Sequence, residues 1–213
     1  MRTKSVWGPA PTRYYRFLHR VIDQGVRDVV VLGCADGRFV MGFARAGIPT
    51  TAVDIDRISL WGGPKKFPDG IRIIPGLAKR LQEEGLQGNV TIIEDDYVTS
   101  NLGGHGAAFT SGSIHYSYNL RHTLRDIVAA IVRSVTANGL LYVDYMLPME
   151  KKHKGRPNYP ERGVLVREFE LQGCDVIYDR YSGPRLERAH VEQPHDHYHS
   201  IGYILAIRRR VSP

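Results

Sequence analysis

One stretch of this chain constrains its fold more than any other: Val29-Val30-Val31-Leu32 runs straight into Gly33-Cys34-Ala35-Asp36-Gly37-Arg38-Phe39. The apolar run from Asp28 to Leu32 reads as a short buried strand, and Arg38 to Ala46 reads as a helix stopped by Gly47. Small residues at 33, 35 and 37 let the backbone turn sharply between the two and let a ligand come close to the peptide. A second apolar run, Thr50 to Val53, ends in Asp54. A carboxylate there is placed to accept hydrogen bonds from both hydroxyls of a ribose, because open α/β sheets bind ligands outside the carboxyl ends of their strands.

The rest of the chain repeats this alternation. Helices are expected over Thr12–Gln24, Pro75–Glu84, Leu120–Val135 and Glu161–Leu171. Further strands are expected over Val90–Ile93, Gly106–Thr110, Gly139–Tyr145, Cys174–Tyr181 and Ser200–Arg208. Three glycines and two prolines make Trp61–Gly70 a loop, and Lys151–Pro160 a polar loop. The expected fold class is α/β: a single Rossmann-like, doubly wound domain over 1–213. It has about seven strands, mostly parallel with an antiparallel last strand, and helices on both faces.

A nicotinamide dinucleotide would use the same strand ends, but its fingerprint is G-x-G-x-x-G. The spacing here is G-x-A-x-G, and Asp36 would set a carboxylate where a pyrophosphate lies. That charge disfavours a diphosphate and tolerates a cationic sulfonium.

Taken together, these segments resemble the class I S-adenosylmethionine-dependent methyltransferases, and among them the small-molecule enzymes of the tellurite-resistance and thiopurine type. Gly33-x-Ala35-x-Gly37 resembles the first motif, Thr51 to Asp56 the second-strand acid motif, and Val90 to Tyr97 the third-strand motif. Ala108 to Tyr116, Ile131 to Leu141 and the closing His197 to Arg208 resemble later segments in the same order. The cofactor implied is S-adenosyl-L-methionine. The resemblance implies cofactor contacts from Gly33, Cys34, Ala35, Gly37, Asp54, Ile55, Asp96, Tyr97 and Ser111, with Asp96 as the acid that takes the adenine amino group. Two positions depart from the pattern. Val31 stands where an acid is usual, which removes a charge that orders the methionine-binding loop. Ala35 replaces the middle glycine and adds a methyl group toward the cofactor.

Methyl transfer is an in-line displacement that asks mainly for alignment and exclusion of water. A hydroxyl or ammonium acceptor also needs a base. His115 is the leading candidate, because it follows the fourth-strand segment and a histidine titrates near neutral pH. Tyr116 beside it and Tyr15 complete the expected catalytic set. Tyr15 sits with Tyr14 on a first helix that is expected to form a lid over 1–25. The loop 148–160, rich in Lys151, Lys152, Lys154 and Arg156, suits an anionic small-molecule acceptor. His195, His197 and His199 share one face at strand periodicity. They line the acceptor pocket, with His190 and Glu192, bind a metal such as zinc, or, as the commonest outcome, lead exposed into the last strand; no metal is counted among the expected site residues. Non-methylating use of the same cofactor, such as cyclisation releasing methylthioadenosine, is the alternative reading.

Composition narrows the classes. Of 213 residues, 42% are hydrophobic and 24% charged, as in ordinary soluble domains. No apolar run reaches the length of a membrane helix, and Met1–Ala10 has no apolar stretch behind its cations, so no membrane partner and a cytoplasmic location are expected. In a reducing compartment Cys34 and Cys174 are expected as free thiols. The net charge of +7 raises RNA methylation as a further reading, but the basic residues are dispersed and no N-P-P-Y acceptor motif is present. A monomer or homodimer without nucleic acid is expected.

Overall fold

The computed structural model describes residues 4–149, 151–156, 159–189 and 195–210. They fall into two compact units, residues 1–95 with 188–197, and residues 96–187 with 198–213.

The first unit opens with α1 (Thr12–Asp23), which buries Tyr14, Phe17, Leu18 and Val21. That spacing puts one stripe of a 3.6-residue period against the core. β1 (Val29–Leu32) is buried along its whole length, as expected of a strand covered on both faces. α2 (Val40–Arg45) leads to β2 (Thr50–Asp54), which pairs parallel with β1 through Val30↔Thr51 and Val31↔Ala52. After α3 (Arg57–Trp61) come β3 (Gly63–Phe67) and β4 (Gly70–Ile74), then α4 (Gly76–Glu84) and β5 (Val90–Glu94). β5 lies parallel on the other side of β2. β3 and β4 form an antiparallel hairpin where a loop was expected. The two residues Pro68 and Asp69 make its turn. At its base the chain crosses itself so closely that a Cβ on Gly76 would meet the Gly62 nitrogen at 2.3 Å. The glycines that made this stretch look like a loop are what allow the hairpin to leave and rejoin the unit.

The second unit holds β6 (His105–Ser111), α5 (Ile114–Asn119), α6 (Leu124–Arg133) and β7 (Val135–Leu147). It continues with α7 (Val164–Leu171), β8 (Cys174–Tyr181), β9 (Arg185–Glu187) and β10 (His197–Arg208). β6 and β7 are parallel; β10 runs antiparallel to both β7 and β8. The long helix expected over Leu120–Val135 is shorter, α6 from Leu124 to Arg133, with the separate α5 ahead of it. Arg121 adopts φ 70°, and Thr123 restarts the chain as a reciprocal capping box with Asp126. α7 starts at Val164, three residues later than expected, and β7 begins at Val135, before Gly139.

Set out in chain order, the strands and helices make a mixed α/β, Rossmann-like fold, mostly parallel with an antiparallel closing strand. Both cysteines are buried free thiols. Near the end of the described chain, Arg208 donates to the carbonyls of Val132, in the last turn of α6, and Val135, the first residue of β7; a cation there also suits the helix dipole. No helix among the described residues is long and apolar enough to cross a membrane.

Candidate functional site

In the first unit the turn after β1 is built around one carboxylate. The Gly33 and Cys34 amides both donate to the Val53 carbonyl, at 2.9 and 3.0 Å, which ties the end of β1 to the end of β2. The Ala35 amide donates to Asp54 Oδ2 at 2.7 Å, and the Asp56 amide to Asp54 Oδ1 at 2.8 Å. Gly33, Ala35 and Gly37 all take positive φ, at 68°, 46° and 81°. Burial pushes the Asp54 carboxyl above the ordinary carboxylate value, and the Asp56 and Ala35 amides pull it back. Each Asp54 oxygen keeps further lone pairs for a ligand's hydroxyls. Ile55, next along the chain, is 49% exposed. The turn thus sets a half-buried carboxylate with unused lone pairs beside an exposed apolar side chain.

The remaining acids and thiols here are occupied otherwise. Asp56 caps α3 through the Ile58 amide and pairs with Ser59 and Lys65. Burial alone would raise its carboxyl, but the Lys65 and Ser59 hydrogen bonds hold it below the usual range. The Cys34 side chain lies in the core, where burial pushes its thiol up. Only its backbone belongs to the turn. Asp36 corrects a sequence expectation. It is 2% exposed and does not stand as a free charge in the turn. It accepts from Ser5 Oγ and the Val6 amide, both at 2.7 Å, and pairs with Arg80 at 3.5 Å. Its charge is neutralised, so it gives no argument against a diphosphate. Tyr15 is 46% exposed and lies near the Arg45 guanidinium, at the end of α2 away from the glycine turn. The described contacts do not bring it to the turn. Tyr14 is core: its hydroxyl donates to the Phe39 carbonyl at 2.6 Å.

In the second unit Asp96 Oδ1 accepts the Val98 amide at 2.9 Å, and Oδ2 lies 2.7 Å from His122 Nε2. Tyr97 is buried, its hydroxyl 3.2 Å from Ser113 Oγ. Ser111, at the end of β6, donates to Asp144 Oδ2 at 2.9 Å. Sequence reasoning passed over Asp144, although an acid interrupting the apolar run Leu140–Tyr145 was a visible signal. It is buried beside the carboxyl end of β6, and its carbonyl accepts the Gly112 amide.

His115 opens α5 directly beyond that end. Its ring lies 4.0 Å from the Tyr116 ring and 6.4 Å from that of Tyr159, and Tyr159 stacks on His153 at 4.3 Å. Burial pulls the His115 imidazole down to about 4, so the ring is neutral at physiological pH. His199 Nδ1 lies 2.8 Å from Glu187 Oε2 in the second unit. In the first, His197 Nδ1 lies 3.0 Å from the His195 carbonyl. His190 and Glu192 lie outside the described residues.

No known family model matches the chain, and no curated protein matches it in sequence. Solved structures place the architecture: the fold is that of the class I S-adenosylmethionine-dependent methyltransferases. The chain is similar to magnesium protoporphyrin IX methyltransferase (ChlM) from Synechocystis PCC 6803 with bound SAH. The TM-score is 0.65 at 14% identity, over 95% of this chain and 90% of that one. It is similar to TehB from Haemophilus influenzae, with TM-score 0.64 at 12% identity, over 92% of this chain and 62% of that one. It is also similar to the [4+2]-cyclase SpnF, with TM-score 0.65 at 13% identity, over 92% and 81% of the two chains.

Proposed function

We propose that this chain is a cytoplasmic enzyme that binds S-adenosylmethionine and transfers its methyl group to a small-molecule acceptor. The observation that carries the reading is the Asp54 carboxylate holding the Ala35 amide at the carboxyl ends of β1 and β2. Similar folds solved with bound SAM and SAH support it.

When bound, the cofactor supplies an electrophilic methyl group on a sulfonium. Asp54 accepts the ribose hydroxyls with its remaining lone pairs, and Ile55 offers an apolar face to the base. Gly33 brings bare backbone to the ligand, whereas Gly37 makes room for Leu77, whose Cδ1 a Cβ there would meet at 2.3 Å. Within the second unit, Asp96 accepts from the Val98 amide and lies against His122. Ser111 ends β6 and pairs in register with Asp144, inside β7. A His115 imidazole titrating near 4 is a weak base. Its part is to orient the acceptor and accept a hydrogen bond, and the rate comes from alignment and exclusion of water. Tyr116 stands with it on the acceptor side. Tyr15, at the far end of α2, has no part in this reading.

Calorimetric titration of S-adenosylmethionine and S-adenosylhomocysteine tests the cofactor claim. Micromolar binding that weakens at least tenfold in Asp54→Asn, about 1.4 kcal/mol, supports it; no binding by folded wild type overturns it. Release of S-adenosylhomocysteine on adding an acceptor panel tests the transfer. Because one similar fold is a [4+2]-cyclase, products are identified as well as counted. Methylthioadenosine, or product without cofactor turnover, would replace methyl transfer with the second reading.

A further inference from the structure

Four rings of the second unit stand in a row: Tyr116, His115, Tyr159 and His153. The first two open α5 beyond the end of β6, and the other two come from the segment after β7. β6 and β7 are parallel, so both segments leave the same edge of the sheet. The segment after β7 is held by its own backbone: Lys154 N donates to Lys151 O, Arg156 N to His153 O, and Tyr159 N to Arg156 O at 2.9 Å. The Met149 amide donates to His153 Nδ1 at 3.3 Å. These bonds fix the His153 ring face to face with Tyr159, 3° from parallel.

The spacing along the row is uneven. The outer steps are 4.0 and 4.3 Å, which are ring contacts, while the middle step from His115 to Tyr159 is 6.4 Å with the planes 24° apart. A flat ring seated between two faces needs about 7 Å, twice a carbon–carbon contact distance. At 6.4 Å between centroids the middle step is narrower than that, so it admits a ring only as His115 and Tyr159 part by about a further half ångström or more. Its walls are uncharged: His115 loses water on burial and stays neutral, so the step favours a π face over an ion. The rim differs. Lys151, Lys154 and Arg156 are all exposed on the same segment.

We propose that His115, Tyr159 and His153 form the acceptor-binding wall of this enzyme, and that its acceptor is a flat aromatic ring carrying an acidic group, which Lys151, Lys154 and Arg156 hold at the rim. The proposal rests on the methyl-transfer reading for the word acceptor, but binding to the wall does not depend on it.

The test uses the full chain and three probes: 6-hydroxy-2-naphthoate, uncharged 2-naphthol, and the saturated acid trans-4-hydroxycyclohexanecarboxylate. Each is titrated by calorimetry with and without S-adenosylhomocysteine. The naphthoate should bind at least tenfold more tightly than the saturated acid, and several-fold more tightly than naphthol. That second margin should shrink in high salt. Tyr159→Leu should weaken naphthoate binding about tenfold, and Tyr159→Phe, which keeps the ring, should retain it. Neither should change the affinity for S-adenosylhomocysteine. Equal binding of the aromatic and saturated acids, no naphthoate binding, or an unaffected Tyr159→Leu variant overturns the proposal. Failure of S-adenosylhomocysteine to bind would instead sink the methyl-transfer reading and leave the cofactor-free titrations to judge the wall.

Discussion

The Ala35 amide and the Asp54 carboxylate, 2.7 Å apart, join the turn after β1 to the end of β2. The same carboxylate holds the Asp56 amide, so one side chain sets the path of two consecutive strand exits. Removing it leaves two partly buried amides without their acceptor, at about 1–3 kcal/mol each. The relief of a buried charge offsets part of that. Asp54→Ala should therefore lose about 2–3 kcal/mol and Asp54→Asn, which keeps one acceptor oxygen, about half as much. Urea denaturation of the two variants checks the order. Equal stability of Ala and wild type would mean that Asp54 does not organise the turn.

Ala35 itself is strained. Its φ of 46° lies in the left-handed region, which costs a residue with a Cβ about 1–2 kcal/mol. Glycine removes that cost but loses about 0.5–1 kcal/mol in chain entropy. Ala35→Gly should stabilise by about 0.5–1 kcal/mol and raise the melting temperature by about 2 °C. Ala35→Val, branched at Cβ, should destabilise by more than Ala35→Gly gains. A fall in melting temperature for Ala35→Gly would show that the methyl group packs usefully.

Asp36 and Arg80 form a buried pair, with their side chains 3% and 7% exposed. Ser5 and Val6 complete the shell around the acid. Breaking such a pair from one side leaves an uncompensated buried charge, typically 3–5 kcal/mol. Arg80→Met should therefore destabilise by about 3 kcal/mol. Asp36→Asn added to it should recover a good part, because the stranded charge is gone. It should also loosen residues 5–9, seen as faster proteolysis ahead of α1. A double variant no more stable than Arg80→Met alone would rule out the charge account.

Much of this was legible in the chain before its fold. The run Val29–Leu32, the small residues at 33, 35 and 37, and Asp54 each carry local signals: apolar continuity, turn chemistry and an acid at a strand end. Thr123 and Asp126, at capping-box spacing, signal the start of α6, but reading the helix from Leu120 sets that start four residues early. The β3–β4 hairpin was not legible, because its glycines serve a backbone crossing between Gly62 and Gly76 that no local pattern reveals. Asp36 illustrates the same limit. Its place in the turn suggested a charge facing a ligand, whereas residues 31 and 44 positions away decide where it points. The ring row was hidden for a related reason: His153 and Tyr159 sit in a stretch whose lysines dominate any reading by composition.

His115 shows what that tertiary setting does to chemistry. Burial lowers its imidazole from an ordinary 6.5 to about 4. A lowered value in the folded state means that the unfolded chain takes up the proton first as pH falls. The stability contributed by the neutral ring is thus complete above about 6.5. It declines as pH falls through that value and is fully lost below about 4. The shift corresponds to at most about 3 kcal/mol. Urea midpoints of wild type should fall between pH 7.5 and pH 4 by more than those of His115→Phe, which keeps a ring and cannot titrate. Nitrogen-15 spectra should show the His115 ring still neutral at pH 5.5. A ring that titrates near 6.5 would mean that water reaches it, and would return it to the role of a general base near neutrality.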